Sequence, residues 1–161
     1  MTGPVSNFDL ELYTDAAGST GFGAFFRGRW SAGPWPVSWV EAGFTRNLVL
    51  LELFPVVLAV ELWGAEFRDK KVRFHCDNLG VVQAINRVSA SSPPVVRLLQ
   101  HLVLRCLQRN VFIHAVHIPG VENVIADALS RFQWDRFREL VPGSEQHGVP
   151  CPEELWRIAL A

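Results

Sequence analysis

The stretch Phe8-Asp-Leu-Glu-Leu-Tyr-Thr-Asp-Ala-Ala-Gly-Ser-Thr-Gly-Phe-Gly23 decides how the rest of the chain is interpreted. Apolar Phe8, Leu10 and Leu12 alternate with polar residues, the period-2 pattern of a strand with one buried face. The strand ends at Asp15, and the glycines that follow predict a tight turn. In an α/β sheet, ligands bind at the carboxyl ends of strands. Asp15 is therefore either a candidate ligand residue or simply part of the turn.

In the rest of the chain, similar patterns predict four more strands and four helices. Strands are expected at residues 22–30, 37–44, 71–76 and 111–117, with a breaker run at 31–36. Short and long helices are expected at 78–86 and 94–108, and a last one begins near Val124 with Asn123 as its cap.

The first helix is the most apolar part of the chain. Residues 48–63 are apolar nearly throughout and too long for a strand, which predicts a buried helix. Because proline is tolerated only in a first turn, Pro55 places the helix start near Leu51, with Glu52 in the first turn. Glu61 lies about 180° around the helix from Glu52. We assign Glu52 to a site and Glu61 to solvent.

The order of three strands, helix, strand, two helices, strand and helix predicts an α/β fold, a mixed sheet with helices on both faces. A chain of 161 residues is long enough for one domain that buries its own core. We place that domain at residues 8–140, after an N-terminal tail at 1–7. Because proline, glycine and glutamate are frequent from Pro142 onward, residues 141–161 are interpreted as a linker or docking tail.

Composition excludes several classes of protein. With 15 basic against 16 acidic residues, the chain is neither a strongly basic nucleic-acid module nor an acidic disordered tail. Three cysteines without metal-ligand spacing argue against a disulfide framework and a zinc site. The longest apolar run, Leu53 to Val60, is far shorter than the roughly 20 residues of a membrane span. We therefore expect an intracellular protein of the cytoplasm or nucleus, neither secreted nor membrane-bound.

Four acids lie at the ends of predicted elements. Asp15 and Asp77 each close a strand, Glu52 begins a helix, and Asp127 lies one turn into another. Carboxylates brought together raise one another's pKa values unless cations accompany them, and hard divalent ions are the usual partners. Each acid also has a simpler interpretation: Asp77 with Asn78 can cap the next helix, and Asp127 can be a solvated residue on an apolar stripe.

The acids occur in segments that together resemble a known family. The segments are Tyr13-Thr-Asp-Ala-Ala-Gly18 with Gly21-Phe-Gly23, Leu51-Glu-Leu53, His75-Cys-Asp-Asn78 and His117-Ile-Pro-Gly-Val-Glu-Asn-Val-Ile-Ala-Asp-Ala-Leu-Ser-Arg131. In this order they resemble the ribonuclease H domains of retroelement reverse transcriptases, in gypsy-like and, more closely, DIRS-like elements. The resemblance implies a ribonuclease H-like fold, whose five-stranded sheet has three antiparallel strands and then two parallel ones.

The resemblance also implies an activity. The family hydrolyses the RNA strand of RNA/DNA hybrids with two magnesium ions, for which manganese substitutes. The resemblance assigns Asp15, Glu52, Asp77 and Asp127 as metal-binding carboxylates, and His117 as a mobile-loop histidine for proton transfer or product release. Two cations roughly 4 Å apart would activate a water and stabilise the leaving 3′ oxygen.

Substrate contacts follow from the same resemblance. The residues assigned to nucleic-acid binding are Ala16, Ala17, Gly18, Ser19, Asn78 and Gln83. Backbone amides of the first four would lie near the scissile phosphate. Cellular relatives carry a basic protrusion where this chain has only residues 87–94. Because phosphate contacts supply most non-specific affinity, we expect the isolated domain to bind hybrids weakly.

The resemblance implies partners, and it leaves alternatives. An upstream reverse transcriptase polymerase domain would precede the domain, a recombinase or integrase module would follow it, and the isolated domain would be a monomer. The alternative is a nuclease-inactive or domesticated domain that positions nucleic acid, although an idle site has no reason to keep four repelling acids. Among other nucleases of this fold, proofreading exonucleases place an acid where this chain has Ala17, and integrase-like enzymes lack the acid found here at Glu52.

The remaining aromatic and imidazole side chains are interpreted as structural. Core packing is favoured over base stacking for four tryptophans, Trp30, Trp35, Trp39 and Trp63. Four histidines match no site of the family, namely His75, His101, His114 and His147.

Overall fold

Five strands of the computed structural model, which describes residues 8–160, form one sheet. The strands are β1 Leu10–Ala16, β2 Gly21–Phe26, β3 Arg29–Pro34, β4 Lys71–Cys76 and β5 Phe112–His117. Their order is β3-β2-β1-β4-β5; the β1–β2 and β2–β3 pairs are antiparallel, and the β1–β4 and β4–β5 pairs are parallel. The predicted mixed sheet is confirmed. The tail predicted at residues 1–7 lies outside the described residues.

The hairpin of β2 and β3 corrects the predicted second strand. A two-residue turn at Arg27-Gly28, with φ of 50° and 81°, divides residues 22–30 between the two strands. Positive φ at both positions suits the right-handed twist of a hairpin. The alternating pattern continues through the turn, and therefore hides it.

The predicted third strand is also wrong. Residues 37–44 form helix α1, Val37–Glu41, and the start of a 3-10 turn at Phe44–Arg46, while most of the supposed breaker run belongs to β3. In α1 only Trp39 is buried, and Val37 is 71% exposed. The apolar alternation there does not follow burial, which is why the pattern misleads.

The central helix α2 runs from Leu48 to Phe67 and begins before the predicted Leu51. The Asn47 side chain caps it by accepting a hydrogen bond from the backbone N–H of Leu50 at 3.1 Å. Pro55 lies two turns inside, where it removes a backbone hydrogen bond, and burial of the helix outweighs that loss. By length and composition α2 could cross a membrane, but most of its residues are buried inside this domain.

Helices pack over two separate apolar clusters. The remaining helices are α3 Leu79–Arg87, α4 Pro93–Arg109, α5 Val124–Ser130, α6 Trp134–Leu140 and α7 Leu155–Leu160. The larger cluster lies between the sheet, α2 and α4, and the smaller one, with Trp30, Leu129 and Phe137, lies under α5 and α6. The sheet is therefore covered on both faces.

The residues after α6 pack on the domain. The backbone N–H of Val149 donates to the Trp30 carbonyl at 2.8 Å, beside the edge strand β3. Helix α7 then places the Trp156 ring on Phe54, with centroids 4.0 Å apart. The described part of the tail thus packs on the sheet and on α2, while its interpretation as a linker or docking segment and the domain boundary at residue 140 stay predictions.

Candidate metal centre

Two neighbouring parallel strands end at the centre of the candidate site. Asp15 is the second-last residue of β1, and Asp77 directly follows β4, which pairs with β1. The topology therefore brings both acids to the same edge of the sheet. Asp15 is 3% exposed, and its carboxyl group is close enough to those of Glu52 and Asp77 for the three to change one another's pKa values.

Glu52 reaches the same point from α2. It lies one turn inside the helix rather than in the predicted first turn, and is 6% exposed. Its Oε1 accepts a hydrogen bond from the backbone N–H of Ala16 at 3.3 Å. The Cys76 thiol donates to its Oε2 at 3.7 Å. Contacts from β1 and β4 thus orient the Glu52 carboxyl group.

Burial and mutual repulsion make these acids weak. Burial and the charge of Asp77 raise the pKa of Asp15 to about 7. Burial and the charge of Asp15 raise the pKa of Glu52 to about 10. Burial, with the charge of Asp127, also raises the pKa of Asp77. The three groups become anions together only at a cost, which a bound cation would offset.

Asp127 lies beside this cluster and is compensated differently. It is on α5, and its charge acts on both Asp15 and Asp77. Its carboxylate accepts hydrogen bonds from Arg131 Nε at 2.9 Å and from Arg136 Nη1 at 2.8 Å. Burial acts to raise the pKa of Asp127, but these two hydrogen bonds outweigh it and hold the pKa below its usual value.

The donor set fits a hard divalent cation. Ligand atoms of Glu52, Cys76 and Asp77 all lie within 4.8 Å of one another. Carboxylate oxygens are the donors that Mg²⁺ and Mn²⁺ take in proteins. The thiol is a poor ligand for them, because burial and the charge of Glu52 raise the pKa of Cys76 well above its usual value. The residues that would hold an ion are Asp15, Glu52 and Asp77, with Asp127 beside them.

His117 ends β5 at the same edge of the sheet and is exposed. It is within electrostatic reach of Asp77, whose pKa burial raises and the charge of His117 lowers. The loop after His117 also borders the site, because a Cβ added at Gly120 would lie 3.3 Å from Asp77 Oδ2. The imidazole of His117 is therefore open to solvent at the edge of the sheet where the acids converge.

The turn after β1 is only partly available to a substrate. The backbone N–H of Ala16 is used by Glu52, and that of Ala17 donates to the Gly21 carbonyl at 2.8 Å. For these two amides the expected contact with a phosphate does not fit the structure, since each already has an acceptor. Gly18 and Ser19 follow them and are exposed.

The two substrate residues assigned to α3 differ in their surroundings. The Asn78 side chain accepts a hydrogen bond from the backbone N–H of Val81 at 3.0 Å. It therefore caps α3, as the simpler interpretation of Asp77-Asn78 requires. Gln83 is exposed on the same helix.

Asn123 is a site residue whose role the sequence does not reveal. In the part of the chain that the structure describes, its side chain is not the predicted cap of α5. It is 1% exposed, and its Nδ2 donates to the Thr14 carbonyl at 2.9 Å. This bond ties the start of the helix that carries Asp127 to the strand that carries Asp15. An asparagine before a helix is the sequence signal for both roles, so only the fold separates them.

Glu61 corrects another expectation. Instead of facing solvent, it accepts hydrogen bonds from His101 Nε2 at 2.6 Å and from Arg105 Nε at 2.8 Å. The reason is that α4 packs over this side of α2. His75 likewise has a structural setting, stacked on Tyr13 with ring centroids 4.4 Å apart. The four tryptophans assigned to packing are all buried.

Comparison of the sequence with models of protein families and with curated proteins gives no significant match. Comparison with solved structures gives significant matches. LC11-RNase H1, isolated from compost by a metagenomic approach, superposes with a TM-score of 0.56 at 19% identity, covering 80% of this chain and 99% of that one. The chain has a ribonuclease H fold.

Two further solved structures share the ribonuclease H fold with this chain. LC11-RNase H1 in complex with an RNA/DNA hybrid gives a TM-score of 0.53 at 16% identity and covers 75% of this chain and 93% of that one. RNase H1 from the halophilic archaeon Halobacterium salinarum NRC-1 gives 0.52 at 18% identity, over 78% of this chain and 97% of that one. At these identities the likeness establishes the fold alone.

Proposed function

We propose that this chain is an endoribonuclease that hydrolyses the RNA strand of RNA/DNA hybrids with bound divalent cations. The observation that carries the proposal is the convergence of Asp15, Glu52 and Asp77 at the edge where β1 and β4 end, with ligand atoms of Glu52 and Asp77 within 4.8 Å of each other. Burying such acids costs stability, so a structural role would be served better by apolar residues. The solved complex of LC11-RNase H1 with an RNA/DNA hybrid supports this choice of substrate.

Some residues of the site would hold the cations, and others orient these ligands. Two Mg²⁺ or Mn²⁺ ions, when bound, would supply an activated water and stabilise charge on the leaving 3′ oxygen. Asp15 and Asp77 would hold the ions from adjacent strands. Glu52 would hold them from α2, with its carboxyl group oriented by the backbone N–H of Ala16. Water oxygen bonds to phosphorus as the bond to the 3′ oxygen breaks, which leaves a 5′-phosphate and a 3′-hydroxyl. His117 would transfer protons or assist product release at the exposed side.

We also propose that the domain works inside a retroelement polyprotein, next to a reverse transcriptase polymerase domain and ahead of a recombinase or integrase module, in the cytoplasm or nucleus. Exposed apolar side chains along α3, α4 and β5 support a neighbouring domain, namely Val88, Leu104, Leu107 and Phe112. They lie at two adjoining grooves of about 440 and 350 Å³. Such patches mark interaction surfaces.

The test is cleavage of a hybrid labelled on its RNA strand, with Asp77→Asn beside Asp69→Asn. Asp69 precedes β4 and Asp77 follows it, so the control makes the same change at the opposite end of one strand. Asp69 has φ of 63°, which asparagine tolerates. We expect Asp69→Asn to keep activity and Asp77→Asn to lose at least about 100-fold, more than the usual effect of an outer-shell metal partner.

A wild-type chain that cleaves nothing, even when fused to an upstream polymerase domain, would make the enzyme proposal wrong. The domain would then be the nuclease-inactive alternative. Equal activity of Asp77→Asn and wild type would place the chemistry elsewhere on the chain.

A further inference from the structure

Two arginines occupy the carboxylate of Asp127. Its Oδ1 accepts from Arg131 Nε at 2.9 Å, and its Oδ2 accepts from Arg136 Nη1 at 2.8 Å. The arginine side chains are 52% and 40% exposed, against 24% for Asp127. Both guanidinium groups are therefore open to solvent while they hold Asp127, and a nucleic-acid backbone could reach them.

The four acids consequently differ in what they offer a cation. Ligand atoms of Glu52 and Asp77 lie within 4.8 Å of each other, and Asp15 lies on the strand paired with β4, so three carboxylates crowd together at this edge of the sheet. Asp127 is already balanced by the two cationic side chains of Arg131 and Arg136. A first divalent ion gains most from the three crowded acids. An ion that uses Asp127 competes with a guanidinium group for an oxygen that already accepts a hydrogen bond.

We infer that Arg131 and Arg136 are exchangeable partners of Asp127, which release it to a second divalent ion when a backbone phosphate of the nucleic acid takes the guanidinium groups. The inference rests on the proposed function, because that function supplies the phosphate. Arginine binds phosphate bidentately, so the phosphate is a good acceptor for the released groups. Binding of the second ion and of the hybrid is then cooperative, each favouring the other.

The strength of the pairs permits this exchange. Ion pairs of comparable exposure change an equilibrium constant by roughly 1.5- to 5-fold each. Pairs of that strength can hold a side chain in place and still yield to a divalent ion. Arg136 Nη1 also donates to Gln133 Oε1 at 2.8 Å, which keeps the guanidinium group near the site after Asp127 leaves it.

The experiment titrates the full chain with Mn²⁺ alone in a calorimeter, for wild type, Arg136→Gln, Arg131→Gln and Arg157→Gln. Arg157, exposed on α7, is the charge-matched control. We expect two Mn²⁺ steps, of which only the weaker one tightens, by about 2- to 5-fold, in Arg136→Gln and Arg131→Gln. The control should match wild type. Circular dichroism verifies that each variant is folded.

A second arm measures hybrid binding by fluorescence anisotropy in Ca²⁺ at several salt concentrations. We expect Arg136→Gln to weaken binding and to lower the slope of log affinity against log salt by about 1, whereas Arg136→Lys keeps that slope. The inference would be overturned if wild type shows no second, weaker Mn²⁺ step, or if the affinity of that step is unchanged in both glutamine variants. Because Mn²⁺ binding is read without hydrolysis, that failure is distinct from a failure of wild type to cleave hybrids.

Discussion

At the scale of single residues, Asp15 and Glu52 are the most deeply buried acids of the candidate site. They are 3% and 6% exposed, and burial is the largest reason that their pKa values rise to about 7 and about 10. Ordinary carboxyl groups titrate near pH 4, so between that pH and 7 the folded chain holds protons that the unfolded chain has released. The stability that these two protonated groups contribute without metal is therefore complete below about pH 4, and is lost as pH rises through the folded pKa of Asp15 and then that of Glu52.

This sign gives a measurable pH dependence. We expect the metal-free chain to melt at a higher temperature near pH 5 than near pH 8, with each such group contributing up to about 1.4 kcal/mol per pH unit in the window. Mg²⁺ should raise the melting temperature more near pH 8, because fewer protons compete for the carboxylates. Thermal unfolding in EDTA and in Mg²⁺ measures both. Asp15→Asn should flatten the EDTA profile, and an unchanged slope would contradict the raised pKa.

At the scale of elements, the distance between α5 and β2 positions the fourth acid. A Cβ added at Gly23 would lie 2.6 Å from Leu129 Cβ and 2.8 Å from the Ala126 carbonyl oxygen. Only glycine lets α5 pack this closely, and Asp127 follows Ala126 on that helix. The sequence predicts a turn from the glycines here, yet Gly21 and Gly23 belong to β2.

Gly23→Ala tests the role of that close approach. We expect it to destabilise the chain by about 1–3 kcal/mol, the usual effect of overpacking, and to lower hydrolysis more than stability loss explains, because Asp127 moves with α5. Gly143→Ala is the matched control, since among the described residues nothing lies within 4 Å of its added Cβ. Urea unfolding and hybrid cleavage are the measurements. A Gly23→Ala variant as active as the control would refute this account of α5.

Elements that depend on local pattern could be predicted, and those that depend on distant contacts could not. Strand β4 and its closing Asp77 follow from alternation alone. The start of α2 does not, because burial of Pro55 outweighs a local rule. The true partner of Asn123 is the Thr14 carbonyl, more than a hundred residues away in sequence. For the same reason the Cys76 contact with Glu52 has no signature in the sequence. Arg131 is different, because it follows Asp127 by four residues, the spacing at which helical side chains of opposite charge pair.

At the scale of the whole molecule, the C-terminal segment connects to the turn behind Asp15. Trp39 Nε1 donates to the Trp156 carbonyl at 2.8 Å, and the Trp156 ring packs against Trp35. Trp35 Nε1 in turn donates to the Ala17 carbonyl at 2.9 Å. The tail is thus part of the core that supports the site, although its composition predicts a linker or docking segment.

Trp156→Ala tests this dependence. We expect a loss of about 3–5 kcal/mol in the free energy of unfolding, as for other buried tryptophans. Trp134→Ala should cost much less, because Trp134 is 43% exposed. Urea unfolding followed by circular dichroism gives both values. Equal losses for the two variants would mean that α7 does not belong to the core.

Metal-dependent hydrolysis of the RNA strand is tested by a cleavage assay on a hybrid whose RNA and DNA strands carry different labels, in Mg²⁺, Ca²⁺ or EDTA. We expect Mg²⁺ to support cutting of the RNA strand alone, leaving a 3′-hydroxyl, and expect no cutting in Ca²⁺ or EDTA, although Ca²⁺ occupies the carboxylates. An RNA strand that stays intact in Mg²⁺, or that is cut in EDTA, would contradict the account.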